Sequence, residues 1–564
     1  MIELELDDLY DNLNTACLIS NVKNKPFTYT HELQGNKKIW FVELEYTADF
    51  PKVLPRAKLL NNECIGKIPH VNNQGTICYQ EEEGILINYH DPLSVLDYIL
   101  TSIANALDRW SLKIFIDDLF EEYEGYIQAD CKRVNSLCSP VSVINEAYLK
   151  VKKLKDGSYE PFLLYEHQDD IPISYSDISD TNSLQVIKVL CINFERFCYP
   201  PKDVFTSHYF KENKSSLSNC EVSRIDKYIK KVKSKRSHFI YLTFPRGGDF
   251  RAQVLLKFVS EKSDLHPLLD DNVEWEVTSF LQNRINKTYL LERGGANTNL
   301  QSSHVAVIGC GSVGSEVALM LSKSGVGKLT LIDSDWLDTD NIYRHRLGGE
   351  ALKYNAIDNK GKVEGIPKVA KVHCLSNYIK SNIPFIDIEP IAAKAEIVLR
   401  NVTIDKVDVV IIAIGSPSES LHINALLKSR GIAKVVHCWN EAASVGGHSV
   451  KFNMTDCCLE CLYTPHARTV QPIVYSLIKP GQNISKNLTG CAGVFTPFSY
   501  LDSSKTAIIA SNQCIEFLEG KCNSSIRSWK NNDFAKYPTT EYFDSFSFET
   551  SSEIVKSQYC SVCN

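Results

Sequence analysis

HVAVIGCGSVGSEVALMLSKSGVGKLTLIDSDWLDTDNIYRH, residues His304 to His345, decides how the larger part of this chain folds. The apolar run Val305 to Ile308 reads as a buried strand and stops at Gly309, Gly311 and Gly314, spaced G-x-G-x-x-G. A helical pattern follows, then Gly325-Val326-Gly327 and a second strand, Leu329 to Ile332, ending at Asp333. That is one βαβ unit of the kind that cradles phosphates. Its glycines let backbone approach a ligand, and the helix N-terminus offers unpaired N–H groups and a positive dipole end.

A redox dinucleotide domain would read the same way as far as Asp333, which stands 24 residues after Gly309. What comes next separates the two. Asp335, Asp340, Asn341, Arg344 and Arg346 are packed directly behind the acid. Hydride transfer needs no such cluster, whereas splitting ATP does. Arg344 and the later Lys368 would offset the charge of the leaving pyrophosphate. These residues resemble the ThiF/MoeB and ubiquitin-activating adenylation domain, a Rossmann-like fold. The resemblance implies that Asp333 holds the ribose, that Asn341 and Arg344 (an N-x-x-R pattern) touch ATP, and that Lys368 in Gly365-Ile366-Pro367-Lys368 does so from the next helix. Gly309, Gly311, Gly314 and Asp335 complete the expected nucleotide site. In that family an Asp that binds magnesium follows the strand reading Asp408 to Ala413. Here the position reads Ile414-Gly415-Ser416-Pro417, so Mg2+ is expected on Glu419 or Asp335. The family's arginine before the first strand, which reaches a partner protomer's ATP in a homodimer, corresponds to Arg293.

Two C-x-x-C pairs, Cys458/Cys461 and Cys560/Cys563, are spaced as zinc knuckles, and together they make a tetrathiolate site for structural Zn2+. Four thiolates leave no open position, so the metal is expected to do no chemistry. Cys457 is the one ambiguity of register. Between the pairs lies Gly490-Cys491-Ala492-Gly493, followed by a helical run, Ser504 to Leu518. This resembles the segment in which activating enzymes carry their acceptor thiol. The chemistry is sound, since an acyl-adenylate is a mixed anhydride that a thiolate can attack, releasing AMP. Cys514 and Cys522 are the rivals to Cys491, and Cys514 falls inside the helix pattern.

Near the other end, His70-Val71-Asn72-Asn73-Gln74-Gly75-Thr76-Ile77-Cys78 resembles the active-site stretch of ubiquitin-conjugating enzymes, as does the proline-punctuated Phe50-Pro51-x-x-Leu54-Pro55 before it. The resemblance implies a thioester on Cys78, with Asn72 stabilising the oxyanion as an amine attacks. Val71 replaces the family's proline and the loop to Cys78 is short, which leaves Asn73 as the alternative to Asn72.

Composition sets bounds around these motifs. The chain has 564 residues, enough for about three or four domains. With 44% hydrophobic and 23% charged residues it has the make-up of ordinary domains with real cores. A net charge of −7 argues against a nucleic-acid-coating role. The acidic start MIELELDDLYDNL lacks the basic and apolar regions of a signal peptide, and no apolar run is long enough to span a membrane. Nineteen cysteines, an odd number, point to a reducing cytoplasm where thiols serve metals or catalysis.

The expected architecture is α/β and multidomain. Residues 1–140 form a ubiquitin-conjugating-like α+β domain, with a strand at Ile39–Tyr46 and helical periodicity over Pro92–Trp110. Residues 141–290 form a middle α+β linker domain, with strands at Leu184–Phe194, His238–Phe244 and Ala252–Val259. Residues 291–564 form the adenylation domain with its cysteine loop and zinc site. The basic run Lys227 to Arg236 reads as a solvated helix face.

The whole resembles the fused activating–conjugating enzymes of bacterial CBASS antiphage operons. It implies that a protein's C-terminal carboxylate is adenylated with ATP, held on Cys491, passed to Cys78 and joined to a target amine. The implied cargo is a cGAS/DncV-like nucleotidyltransferase. A ThiF-like activation of a sulfur-carrier protein, which needs no Cys78, and a non-catalytic scaffold are the competing readings.

Overall fold

The computed structural model describes residues 27–47, 49–80, 85–112, 116–127, 132–155, 157–172, 184–201, 205–231, 237–246, 250–260, 266–269, 275–353, 369–401, 406–463, 474–488, 494–531 and 537–564. The chain divides into two compact units, one of residues 1–171 and 175–289, the other of 290–564 with 172–174.

The first unit begins with a four-stranded antiparallel meander of Phe27–Gln34, Ile39–Tyr46, Arg56–Leu59 and Thr76–Ile77. The strand IWFVELEY alternates as its sequence requires, burying Trp40, Val42, Leu44 and Tyr46 on one face. Helix Pro92–Trp110 covers that face. Leu96, Ile99, Ile103 and Leu107, spaced three or four apart, all enter the same core. The helix starts where it does because Asp91 accepts from the Ser94 N–H and Pro92 occupies the first turn. At its other end Asp108 accepts from Trp40 Nε1 at 2.8 Å and from the Asn36 N–H at 2.6 Å, which pins the helix to the first hairpin.

Seven further strands close into a barrel. In spatial order they are Arg251–Val259, Glu276–Arg284, Lys132–Ser136, Tyr159–Tyr165, Ala147–Lys153, Leu184–Asn193 and Ser237–Pro245. Residues such as Leu149, Cys191, Tyr241 and Leu255 form one core, while the alternate positions Ile192, Leu242 and Phe244 pack with Tyr209, Phe210, Ile225 and Ile229 of two helices. Strand Ser237–Pro245 is therefore buried on both faces. Lys132–Ser136 pairs with both Glu276–Arg284 and Tyr159–Tyr165. It belongs to the barrel, so the boundary expected at 140 moves upstream of it. Helix Asn219–Lys231 buries Ile225 and Ile229 and leaves Lys227, Lys230 and Lys231 exposed, a solvated face as the sequence suggests; residues 232–236 of the basic run lie outside the described residues.

The second unit is built on an eight-stranded sheet in the order Asp387–Ile391, Lys328–Ile332, His304–Ile308, Val409–Ile412, Lys434–Asn440, Gly446–Asn453, Ser525–Lys530, Glu549–Glu553. The first five strands are parallel and the last three antiparallel. The parallel core reads as continuous apolar runs because both faces are covered. Helices Ser312–Lys323 and Tyr500–Leu518 pack on one face through Val317, Leu321, Ala510 and Phe517. Helices Ala395–Asn401 and Pro417–Ser429 cover the other through Val398, Ile423 and Leu427. No helix among the described residues is long and apolar enough to cross a membrane.

Candidate active sites

The glycine loop sits where a doubly wound sheet places ligands, beyond the carboxyl ends of its parallel strands. Gly309 has φ +86, and a side chain there would meet the Ala413 carbonyl at 2.7 Å. A Cβ on Gly314 would lie 1.8 Å from the Gly309 carbonyl oxygen, so only glycine lets the helix press against the loop. Gly311 faces open space and caps helix Ser312–Lys323. The space is a cavity of about 200 Å³ lined by Gly309, Gly311, Asp333, Asp335, Lys371 and Glu419, among others.

Asp333 braces this loop from the neighbouring strand. One carboxylate oxygen accepts from the Cys310 N–H at 2.7 Å, the other from the Asp335 N–H at 2.7 Å. His345 props it from behind. Its Nε2 lies 2.7 Å from the Cys310 carbonyl oxygen and its Nδ1 accepts from the Leu347 N–H. Burial lowers the imidazole pKa to about 4, so the ring is neutral near pH 7 and donates from Nε2 alone.

Not every expected residue reaches the cavity. Asn341 accepts from the Asp338 N–H at 3.4 Å within a capping box, and the Arg344 guanidinium lies 5.2 Å from the centre of the Phe498 ring. Neither is among the described residues that line the cavity. Lys368 and Cys491 lie outside the described residues. Arg293 is exposed at the end of helix Lys287–Arg293. In place of the family's magnesium Asp, Ser416 caps helix Pro417–Ser429 by accepting from the Glu419 N–H, and Glu419 in the first turn lines the cavity.

The lysine that the structure does put there is Lys371, which the sequence reading passed over. It is 8% exposed, its Nζ is 3.1 Å from Asp335 Oδ2 and its N–H donates to the Asp335 carbonyl at 3.0 Å. The only mark in the sequence is a second lysine three residues after Lys368, and what brings Lys371 to the cavity is that helix Lys371–Asn382 begins there.

In the first unit Cys78 is exposed just past strand Thr76–Ile77. A cavity of about 480 Å³ is lined by Cys78, Asn72, His70, Glu122, Tyr126 and Pro55, among others. Val71, standing where the family has proline, is fully buried and pairs across the loop with Ile77. This makes residues 72–76 a tight reversal, with Gly75 at φ +85. Asn72 Oδ1 accepts from the Gln74 and Thr76 N–H groups, each at 2.9 Å. The amide NH2 is left without a partner among the described residues. Asn73 is no substitute. Its Nδ2 donates to the carbonyls of Tyr126 at 3.3 Å and Pro201 at 2.8 Å, and it is not among the lining residues.

The four cysteines of the C-x-x-C pairs converge in the second unit, with every Sγ within 4.8 Å of the others. Cys458 and Cys560 are 3.6 Å apart, and Cys461 and Cys563 are 3.8 Å apart. These separations are far too long for a disulfide. They match the ~3.8 Å edge of a tetrahedron with ~2.3 Å metal–sulfur bonds. Cys457 points elsewhere, its Sγ 3.9 Å from the Ile554 carbonyl oxygen, which resolves the register. Cys514 is buried inside helix Tyr500–Leu518, and desolvation pushes its thiol up, so it is core rather than nucleophile. Cys522 is exposed.

Residues 286–519 match the ThiF family, and residues 20–132 match prokaryotic E2 family B. Over 502 residues the chain is 23% identical to the ATP-dependent ubiquitin transferase-like protein Cap2 of Pseudomonas aeruginosa, covering 84% of each. Over 239 residues it is 28% identical to the Vibrio cholerae Cap2, covering 39% of this chain and 36% of that one. A crystal structure of Escherichia coli MccB aligns with 47% of this chain and 66% of its own, at 15% identity and a TM-score of 0.31. A ThiF-type segment and a prokaryotic E2-type segment thus share one polypeptide, which over most of its length is similar to an ATP-dependent ubiquitin transferase-like protein.

Proposed function

We propose that the chain runs a two-thiol relay from a protein's C-terminal carboxylate to a target amine. The observation that carries this reading is the exposed Cys78 in a cavity with the oriented amide of Asn72, in a chain that also holds the glycine-lined cavity. The carboxylate oxygen attacks the α-phosphorus of ATP and pyrophosphate leaves. The Cys491 thiolate attacks the acyl carbon and AMP leaves. The Cys78 thiolate then takes the acyl group by exchange. An amine attacks that thioester, the carbon–sulfur bond breaks and an amide forms. The Asn72 NH2 is the donor for the oxyanion of this last step, since its carbonyl end is tied to the loop. Thioester resonance is weaker than amide resonance, so the final transfer runs downhill. By resemblance the cargo is a cGAS/DncV-like nucleotidyltransferase.

In the adenylation step Asp333 keeps the glycine loop and its N–H groups in place for the phosphates, and Lys371 supplies a buried positive charge beside them. Arg344 and Lys368 belong to this step through the family pattern, and Asn341 with them. Asp335 and Glu419 are the carboxylates that would hold Mg2+, which neutralises phosphate charge. Cys458, Cys461, Cys560 and Cys563 would hold Zn2+ as a closed structural site.

ATP–pyrophosphate exchange tests the reading. Exchange should depend on a partner with a free C-terminal carboxylate. Exchange no higher with a cGAS/DncV-like nucleotidyltransferase of free C-terminus than without it would sink it. Lys371→Met should raise the ATP KM in that assay about 10- to 100-fold, the worth of one hydrogen bond to a charged group. An unchanged KM would assign Lys371 to holding Asp335 alone.

A further inference from the structure

His70 stands out in the Cys78 cavity because the relay described above gives it no task. It is a non-glycine residue at φ +59, a backbone conformation that L side chains rarely adopt. Its N–H donates to the Tyr126 hydroxyl at 2.6 Å, its carbonyl accepts from the Cys78 N–H at 2.8 Å, and its ring lies 4.4 Å from that of Trp110. Its Nδ1 is 2.8 Å from Glu122 Oε1, and Tyr126 donates to the other Glu122 oxygen at 3.3 Å. Burial and the Glu122 carboxylate push the Tyr126 phenol up, so that hydroxyl keeps its proton.

We propose that His70 accepts the proton released when an amine attacks the Cys78 thioester, with Glu122 as its positioning residue. The proposal rests on the two-thiol relay and adds the acid–base group that relay lacks. Glu122 takes the Nδ1 proton as a hydrogen bond, which fixes the tautomer and leaves Nε2 as the basic atom. Asp118 Oδ2 lies 3.9 Å from Nε2, too far to hold it. The charged and titratable groups around the ring are thus Asp118, Glu122 and Tyr126 on one side, with Cys78, Tyr79 and Arg56 lining the same cavity. As the amine nitrogen bonds to the acyl carbon, its proton passes to Nε2. The carbon–sulfur bond breaks, Cys78 leaves as thiolate, and the imidazolium returns the proton to sulfur. No oxidant or further reactant enters.

The test loads Cys78 of the full chain directly from a peptide C-terminal thioester, which bypasses ATP and Cys491. Discharge to free lysine is then followed in single turnover. His70→Gly suits the backbone, since glycine is at ease at φ +59, and it opens space for added imidazole. Loading should stay within about twofold, discharge at pH 7 should fall about 100-fold, and imidazole should restore it. The deficit should narrow toward pH 10, where lysine needs no base. Glu122→Gln should slow discharge about 10-fold without affecting loading. Unchanged discharge in His70→Gly, or an equal loss at every pH with no imidazole rescue, would overturn the proposal. Failed ATP-driven loading alongside normal discharge would count against the adenylation reading and leave this one standing.

Discussion

With Cys78 replaced by alanine, conjugates to protein amines should fall at least about a thousandfold while ATP–pyrophosphate exchange stays within about twofold of the parent. The split follows from where the residues lie. On the proposed reading, exchange draws on the glycine loop, Asp333 and Lys371, all in the second unit. Amide formation needs a thioester presented beside a fixed donor, which on the proposed relay Cys78 with Asn72 would supply in the first. Alanine removes the sulfur without disturbing the loop, because the loop is closed by backbone atoms, the Asn72 carbonyl and the Val71–Ile77 pairing. Cys78→Ser should go further and trap the relay as an ester that resists thiol reagents and yields to hydroxylamine. A denaturing gel with and without thiol would read both variants. Amine conjugates persisting in Cys78→Ala would end the relay and favour sulfur-carrier activation.

Loss of the tetrathiolate should cost the second unit its stability. Cys458 and Cys560 are buried among Ile423, Leu427 and Ile554, so the cluster is part of the core. It also ties together positions 102 residues apart. Closing a loop of that size is worth about 4.7 kcal/mol in the chain-entropy model. At ~2–4 °C per kcal/mol for a domain of this size, that is a fall of about 10–20 °C in Tm. Elemental analysis should find one zinc per chain. Cys560→Ser, or a strong chelator, should remove it, lower the Tm of the second unit and abolish exchange with it. A metal-free protein that melts where the parent does would show the thiols to be ordinary core residues.

Features that depend on local spacing were legible in the sequence. The strand IWFVELEY, the glycine loop and the paired cysteines each announce themselves within about ten residues. Features that depend on distant pairing were not. Lys132–Ser136 finds its partner in Glu276–Arg284, and nothing near residue 132 shows it. Asn73 looked like a spare oxyanion donor until Pro201, 128 residues away, took its amide. Glu122 bears no sequence mark as the partner of His70. Arg344 fits the family pattern by spacing, yet its side chain turns toward Phe498. Motif spacing places a backbone position, whereas the partner that captures the side chain comes from the fold.

Closure of the middle barrel has a consequence for recruitment. Seven strands that pair all the way round leave no free row of N–H and C=O groups, so the barrel cannot borrow a strand from another protein. The larger sheets on either side of it in sequence are open at Phe27–Gln34 in one case and at Asp387–Ile391 and Glu549–Glu553 in the other, whereas the outer side of Thr76–Ile77 is already paired with the returning segment at Val71. Among the described residues of these two sheets, an extended peptide tail held by backbone pairing would therefore be held at Phe27–Gln34, Asp387–Ile391 or Glu549–Glu553, and the strand that runs into Cys78 has no side left to offer.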